Sequence, residues 1–393
     1  MLWLAGWYPT NENPFAGDFI QRHFKAFYNS NKFEGSNESL HLIHLATNSN
    51  FRLREFWNVI KELKDDNCEF AEFVIPVFQS KFILFKPINF LWYYIVGIYV
   101  LSSYFRTHST NYVHLHSADK VGYLATIFKE LKGFNLYYTE HWAIFDNDAP
   151  DSYNQRNTWF RYYFKQVWEK TDLYVSISES MYQSMAKTYS EEREYIVVPN
   201  ILDQVFEADI ESKLIPTEEI NVSNLRILHI SNFEQRKNIP LIIEAFNEFQ
   251  KHFPGATLTL VGGALESNNS LDLTSVFVYP KMPIQDLIPH YRNSDIFLMY
   301  SDSENAPCVI TEALCYGLPV ISNDVGSISE MLTAENGIIF KRDRENLTGF
   351  NHLFTALLEF TQKSQIFDKI EISKKAISQY GVNRVFKDFY WIK

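Results

Sequence analysis

The chain contains 393 residues with a formal net charge of −11, and 46% of its residues are hydrophobic. This length exceeds what one hydrophobic core usually organises and predicts two domains of about 150 to 200 residues each. The negative charge argues against nucleic acid as a partner, because phosphate backbones bind basic surfaces. The three cysteines, Cys68, Cys308 and Cys315, show no disulfide or metal spacing, so we expect reduced thiols and a cytoplasmic protein.

The first half of the chain alternates short apolar runs with segments of helical spacing. Its N-terminus lacks the basic start and long apolar core of a signal peptide. Strands are predicted at 2–7, 41–47, 72–77, 112–117, 135–142, 172–178 and 195–200. Helices are predicted at 19–28, 117–131 and 157–169. This alternation predicts a parallel sheet covered by helices.

A loop rich in proline, asparagine and glycine follows the first predicted strand. It ends with Gly17 and Asp18, directly before the first helix. A strand, a glycine-bearing loop and a helix open a Rossmann-like unit, but the dinucleotide pattern G-x-G-x-x-G is absent here. Taken alone, the two residues are explained by a turn glycine and an acid at a helix start.

An uncharged aromatic segment covers 87–105, between Lys86 and Arg106. Its length of 19 residues fits a membrane span. Polar residues such as Asn89 and the strands predicted on both sides favour a buried or partly exposed helix instead, since a span would divide the first sheet. A helix that faces a membrane surface or an acceptor is a third alternative.

Two histidines, His116 and His141, lie at the ends of neighbouring predicted strands in the first half. The carboxyl ends of parallel strands are where ligands gather in such sheets. Each histidine could equally be a structural residue that is satisfied inside the fold.

A polar segment at 206–224 has no clear apolar period and is predicted to be a linker. The alternation then restarts with predicted strands at 226–232 and 257–263 and a helix that begins at Asn238. Arg236 and Lys237 precede this helix, where two cations could neutralise a diphosphate. Gly262 either lines a nucleotide or forms a plain turn.

The segment 295–323 predicts a strand, a loop, a helix that opens at Pro307, and a second strand. Glu304 lies in the loop and Glu312 lies a turn and a half into the helix, so both carboxylates could border one cleft. The amides at the helix start, around Cys308 and Val309, carry the positive end of the helix dipole. These features together predict an anion site flanked by two acceptors for sugar hydroxyls.

The residues from Glu304 onward resemble the E-x7-E signature of retaining glycosyltransferases of family 4. Seven residues separate Glu304 from Glu312, and A-L-C-Y-G-L-P-V-I-S, a Val-Gly pair and Glu330 follow. The resemblance extends over nearly the whole chain and implies the GT-B fold, an α/β fold with two Rossmann-like domains that face each other across a central cleft. Pro307 and Ser327 depart from the family pattern, because glycine is common at both positions.

The resemblance implies a role for most of these candidates. Glu304 would contact the transferred sugar, Glu312 the ribose, and the amides of Cys308 and Val309 the phosphates. The other implied positions are Arg236 and Lys237 at the phosphates, Gly17 and Asp18 near donor phosphate and acceptor, and one of His116 and His141 at the donor sugar. The candidate catalytic residues are therefore His116, His141, Glu304, Arg236 and Lys237.

The resemblance also implies the function. We expect a retaining glycosyltransferase that moves a sugar from a nucleotide-diphosphate sugar to a glycan or lipid-linked acceptor, in cell-surface polysaccharide or glycolipid synthesis. Neither a D-x-D pair nor a His/Cys cluster is visible, so no metal or other cofactor is expected. A GT-B epimerase or hydrolase of nucleotide sugars, and a binding protein without catalysis, are the alternatives.

Three boundaries complete these expectations. The acceptor-side domain is predicted at 1–205 and the nucleotide-sugar domain at 225–375. The C-terminal segment 376–393 is expected to pack back on the first domain, as in GT-B proteins generally. A further expectation is that the protein contacts the inner membrane face peripherally.

Overall fold

The computed structural model describes residues 1–10, 13–29, 40–48, 69–76, 85–146, 151–215, 219–265, 272–341 and 349–389. The chain forms two compact units. The first contains 1–142, 153–177 and 182–197, and the second contains 143–152, 178–181 and 198–393. Cys68 lies outside the described residues.

The first unit contains a parallel sheet of seven strands. Its sheet order is β3-β2-β1-β4-β5-β6-β7, and chain order reverses between β1 and β4. The elements of this half are β1 (Leu2–Ala5), α1 (Asp18–Asn29), β2 (His41–Asn48), β3 (Glu69–Pro76), α2 (Phe85–Thr107), β4 (Tyr112–His116), α3 (Asp119–Lys132), β5 (Asn135–Thr139), α4 (Thr158–Lys170), β6 (Leu173–Ser176), α5 (Glu179–Tyr189) and β7 (Tyr195–Val197).

The second unit contains a parallel sheet of six strands. The sheet order is β10-β9-β8-β11-β12-β13, with the reversal between β8 and β11. The elements are α6 (Gln204–Ser212), β8 (Arg226–Ile230), α7 (Ile239–His252), β9 (Thr257–Val261), β10 (Val276–Tyr279), α8 (Ile284–Arg292), β11 (Ile296–Met299), α9 (Cys308–Cys315), β12 (Val320–Asn323), α10 (Ile328–Met331), β13 (Gly337–Phe340), α11 (Gly349–Lys363), α12 (Lys369–Tyr380) and α13 (Val382–Phe389).

Both sheets therefore have the doubly wound order that was predicted. Strands such as β1 and β11 are buried along their whole length, because helices cover both faces of a parallel sheet. In such sheets the reversal point opens a crevice at the carboxyl ends of the two central strands. The loops after β8 and β11 therefore carry the residues that a ligand of the second unit would meet.

The predicted linker 206–224 differs most from the structure, because α6 occupies its first part and belongs to the second unit. Phe206 and Ile210 face the core at helical spacing. The Arg292 side chain of α8 donates to Asp209 over 2.6 Å and to its carbonyl over 2.8 Å. The polar composition of 206–224 made this pair of apolar residues difficult to recognise as part of a helix. The predicted packing of 376–393 on the first domain stays a prediction.

The strand predicted at 135–142 ends earlier, at Thr139. Glu140 turns the chain because its carboxylate accepts hydrogen bonds from the amides of His141 and Trp142, at 2.8 and 2.9 Å. His141 consequently lies in the loop beyond β5, still at the carboxyl edge of the sheet.

Gly262 has a structural role that the sequence left open. Its φ is +127°, and a Cβ atom built there would lie 1.6 Å from the carbonyl oxygen of Ser231. A side chain therefore fits neither the backbone conformation nor the space, and only glycine lets the turns after β8 and β9 approach each other.

Gly262→Ala should lower the free energy of unfolding by about 3 kcal/mol or more, since strain and a backbone clash add. Gly133→Ala is the matched control, because Gly133 has a φ of +74° and nothing within 4 Å of the built Cβ. The control should lose only about 1 to 2 kcal/mol, the cost of the left-handed conformation. Equal losses in chemical denaturation would contradict this assignment.

Candidate functional site

The cationic loop follows β8 at the reversal point of the second sheet. Arg236 and Lys237 lie in a 3-10 turn, Gln235–Lys237, directly before α7. Asn238 adopts a left-handed conformation with a φ of 46°, which turns the chain into the helix. Its side chain does not cap α7 but donates to the carbonyl of Arg236 at 3.1 Å and to the carboxylate of Asp302 at 2.8 Å.

The cations meet Glu304, which lies in the loop after β11. The ammonium of Lys237 donates to Oε1 of Glu304, and Nη1 of Arg236 donates to the same oxygen over 3.0 Å. Lys237 and Glu304 are each only 7% exposed. Burial by itself would raise the pKa of Glu304, but the charges of Lys237 and Arg236 hold this pKa below its ordinary value. We call these three residues the ion cluster.

Backbone contacts join the two loops of the ion cluster. The amide of Asp302 and the hydroxyl of Ser301 both donate to the carbonyl of Arg236, at 2.8 and 3.2 Å. Asn323, at the end of β12, accepts from the amide of Ser301 at 3.0 Å and donates to its carbonyl at 2.8 Å. A buried amide side chain thereby fixes the start of the loop that carries Glu304.

The Val-Gly pair after β12 supports the same loop. Gly326 has a φ of +61°, and a Cβ atom there would lie 2.1 Å from the carbonyl oxygen of Glu304. Ser327, a departure from the family pattern, donates through its amide at 3.0 Å and its hydroxyl at 2.5 Å to the carbonyl of Asn305. The serine therefore supplies a hydrogen bond that glycine could not.

Helix α9 begins at Cys308, with Pro307 in the N-cap position, and Gly317 follows its end with a φ of +75°. Cys308 and Val309 therefore lie in the first turn of α9, and the contact of their amides with phosphates stays a prediction. The amides at a helix start have no acceptor within the helix and form a ready site for an anion. Proline at the cap costs nothing here, because α9 needs no donor from that residue.

Glu312 has a different environment from Glu304. Its position one turn after Cys308 was expected to border a cleft, but the residue is only 2% exposed. The hydroxyl of Tyr291, from α8, donates to Oε2 of Glu312 over 2.6 Å. The carboxylate thus joins α9 to α8, and its assignment to a ribose stays a prediction.

His229, in β8, was missed from the sequence. Its Nδ1 lies 2.9 Å from the carbonyl oxygen of Leu298, which can only accept, and its Nε2 lies 2.8 Å from the hydroxyl of Ser231. Burial lowers the pKa of His229 to about 4. A neutral histidine therefore connects β11 to the first residue after β8. A single histidine in the apolar run R-I-L-H-I was the available signal.

The predicted glycine loop of the first unit has strong structural requirements. Gly17 has a φ of +66°, and a Cβ atom there would lie 2.8 Å from the carbonyl oxygen of Trp7. Asp18 opens α1 and pairs with Arg22 at 2.9 Å. The structure thus explains both residues locally, and their donor contacts stay predictions.

The two predicted histidines lie together in the first unit. Nδ1 of His116 lies 3.3 Å from Nε2 of His141, and the ring of Trp3 packs against His116 with centroids 4.3 Å apart. Burial, followed by neighbouring histidines, holds the pKa of both well below the ordinary value. Both rings are therefore neutral at physiological pH.

Glu140 is the anchor of this histidine pair. Its carboxylate is fully buried and accepts hydrogen bonds from five donors, namely the hydroxyls of Ser117 and Tyr138 and the amides of Ala118, His141 and Trp142. Burial raises the pKa of Glu140, and the donors oppose this rise. One side chain thus holds the residues that follow His116 and the residues that follow β5.

Among the residues that the structure describes, no group of three or more His, Cys, Asp or Glu side chains could hold a metal ion. The expectation of a reaction without a cofactor stays a prediction.

Comparison with known proteins identifies the second unit. The family model described as "Glycosyl transferases group 1" matches residues 211–370. Residues 211–370 of this chain therefore resemble that family. The group 1 segment contains the ion cluster, Glu312 and Gly262, and therefore all the candidate residues of the second unit.

Two relatives resemble parts of this chain in sequence. The chain is 26% identical over 174 residues to N-acetyl-alpha-D-glucosaminyl L-malate synthase of Bacillus anthracis. This alignment covers 42% of this chain and 44% of that protein. The chain is also 25% identical over 327 residues to a probable sucrose-phosphate synthase of Thermosipho melanesiensis. This second alignment covers 77% of this chain and 72% of that protein. The match spans about half of the length of the first relatives, 44% and 51%.

Solved structures resemble the chain over its full length. The sucrose-phosphate synthase of Thermosynechococcus elongatus has a TM-score of 0.69 at 14% identity, and the comparison covers 100% of this chain and 97% of that one. Anabaena HepE in complex with UDP and glucose has a TM-score of 0.66 at 14% identity, with coverage of 100% and 98%. These similarities confirm the predicted GT-B fold.

Lys237→Met should lower the free energy of unfolding by up to about 3 kcal/mol, because Glu304 keeps Arg236 but loses its most buried partner. The double variant Lys237→Met, Glu304→Gln should recover more than half of this loss, since no carboxylate is then left underpaired. Chemical denaturation of the wild type, both single variants and the double variant measures the coupling. Additive losses would show that the two side chains do not interact in solution.

Proposed function

We propose that this protein is a glycosyltransferase that moves a sugar from a nucleotide-diphosphate sugar to an acceptor hydroxyl. The observation that carries the proposal is the ion cluster at the β8–β11 reversal point, beside the start of α9. The group 1 family match to the same segment supports it.

The charges of the ion cluster suit a leaving diphosphate. Arg236 and Lys237 share the buried carboxylate of Glu304, and Arg236 also pairs with the exposed Glu234 at 2.9 Å. As the bond between the sugar and the diphosphate breaks, negative charge grows on the phosphate oxygens. Arg236, Lys237 and the first amides of α9 stabilise this charge, because fixed cations and dipoles in a poorly solvated site need no reorganisation. Glu304, beside them, is left to contact the hydroxyls of the sugar.

The donor is best sought among uridine nucleotides. Several of the solved structures that share the fold were obtained with UDP or a UDP sugar, among them Anabaena HepE and a trehalose-6-phosphate protein of E. coli. We further propose membership of family 4 and retention of the anomeric configuration, on the spacing of Glu304 and Glu312. We expect the reaction to proceed without a metal ion, with the cationic loop supplying the positive charge.

The acceptor is proposed to be a glycan or a lipid-linked sugar, in the synthesis of cell-surface polysaccharide or glycolipid on the cytoplasmic side of the membrane. His116 and His141 remain candidates for a contact with the donor sugar. Their burial keeps them neutral, so they would act as hydrogen-bond partners rather than as cations.

An epimerase or hydrolase would differ in its requirement for an acceptor. Incubation with the donor alone should give almost no free sugar or epimer if the protein is a transferase. Rapid release of free sugar without an acceptor would support hydrolysis instead.

UDP and its sugars should raise the unfolding temperature of the protein. A ligand at about 100 times its dissociation constant adds about 2.7 kcal/mol of stability. A thermal-shift panel of the nucleoside diphosphates and their common sugars measures this effect and identifies the base. A flat response to the whole panel would contradict the proposed donor site.

Arg236→Ala should reduce the rate of sugar transfer by about 100-fold or more, since one donor to the developing charge is lost. Lys251→Ala is the matched control, because Lys251 lies exposed on α7 and pairs with Glu248 of the same helix at 2.6 Å. The control should keep the wild-type rate in the same transfer assay. An unchanged rate in Arg236→Ala would argue for a binding protein or for a different site.

A further inference from the structure

Helix α2 of the first unit presents a continuous apolar stripe to solvent. The exposed residues recur three or four positions apart, which places them along one side of the helix. We call them the α2 stripe, and they are Ile88 (50% exposed), Leu91 (62%), Ile95 (49%), Ile98 (43%) and Tyr99 (57%). Isolated exposed apolar residues are ordinary, but a row of this length along one helix marks an interaction surface.

The opposite side of α2 is held by the first unit. Tyr93, Val96 and Leu101 are buried, and the absence of a side chain at Gly97 lets α2 approach Leu124 of α3. The hydroxyl of Tyr94 donates to the carbonyl of Lys120 in α3 at 3.3 Å.

This packing indicates whether α2 would cross a membrane or lie on its surface. Residues 86–107 are long and apolar enough to cross a membrane, and 28% of the most apolar window is buried. A helix that crossed a bilayer would have to leave α3. A helix that stays packed can offer only its outer side.

The charges around α2 differ in sign from the rest of the chain. Helix α2 contains no acidic residue, and the exposed cations Lys86 and Arg106 lie in its first and last turns. On the side of α2 that faces α3, Lys120 lies 5.3 Å from the ring of Tyr93 and Lys132 lies 6.0 Å from the ring of Phe105. Asp119 of α3 is also close, because burial and then its negative charge raise the pKa of Tyr93 and Tyr94. The whole chain carries −11. The exposed cations Lys86 and Arg106 at the two ends of the apolar stripe make this side of α2 complementary to an anionic surface.

We propose that the α2 stripe binds the surface of an anionic lipid bilayer, with α2 parallel to the membrane plane. The apolar side chains enter the boundary between headgroups and acyl chains, and the cations contact the anionic headgroups. A second copy of this chain fits less well. Two stripes paired about a two-fold axis would bring Lys86 of one copy to Arg106 of the other, or like cations together. The proposal does not depend on the proposed sugar transfer.

The first test is co-sedimentation of the full chain with vesicles. Vesicles that contain phosphatidylglycerol should bind the protein, and pure phosphatidylcholine vesicles should bind it at least tenfold less. Raising the salt concentration should weaken the binding, because surface charges are screened. Equal binding to both vesicle types, or none to either, would overturn the proposal.

The second test compares variants. Leu91→Gln with Ile95→Gln should weaken vesicle binding at least about tenfold, since two large apolar side chains no longer leave water. Leu214→Gln with Ile366→Gln is the matched control, because these exposed apolar residues lie in the second unit. Lys86→Gln and Arg106→Gln should each weaken binding to anionic vesicles about fivefold. A control that weakens binding as much as the α2 pair would overturn the assignment to α2.

The third test distinguishes binding at a membrane surface from self-association and from a membrane span. Circular dichroism before sedimentation verifies that each variant is folded. Sedimentation velocity without lipid should give a monomer for the wild type and for the α2 variant. A dimer that dissociates only in the α2 variant would assign the stripe to self-association and overturn the proposal. Protein retained on vesicles after a carbonate wash would indicate a span and would also overturn it.

Discussion

The ion cluster of Lys237, Arg236 and Glu304 is the constraint on which the second unit depends. A buried carboxylate and a buried ammonium are costly to desolvate, and each is tolerated only while the other is in contact. The sheet order satisfies this requirement, because β8 and β11 are neighbours and their loops emerge side by side. Asn323 and Ser327 then hold the loop of Glu304 through its backbone atoms, and Asn238 holds it through the side chain of Asp302. The same arrangement holds two cations at the carboxyl edge of the second sheet.

Much of the fold follows from the sequence alone. Regular alternation of apolar runs with helical segments predicted both doubly wound sheets, and Pro307 marked where α9 begins. The contact between the cationic loop and Glu304 was also predictable, since both follow strands of one parallel sheet. These features are local patterns that the periodicity of strands and helices converts directly into positions.

Other features depend on contacts between residues far apart in sequence. The polarity of 206–224 concealed α6, whose place is decided by Phe206 in the core and by Arg292 of α8. The burial of Glu312 requires Tyr291, 21 positions earlier, and the support from His229 requires the carbonyl of Leu298, 69 positions later. Nor could periodicity show that Gly326 lies under the carbonyl of Glu304. No pattern in a single sequence reports which side chains meet across a sheet.

The neutral state of the buried histidines has a consequence for enzymology. His116, His141 and His229 stay uncharged because burial lowers the pKa of each ring. Glu304 stays ionised because the charges of Lys237 and Arg236 lower the pKa of its carboxyl group. None of these four groups exchanges a proton when the medium moves modestly to either side of neutrality. A bell-shaped activity curve centred near neutral pH would then report the ionisation of other groups, on the protein or on its substrates.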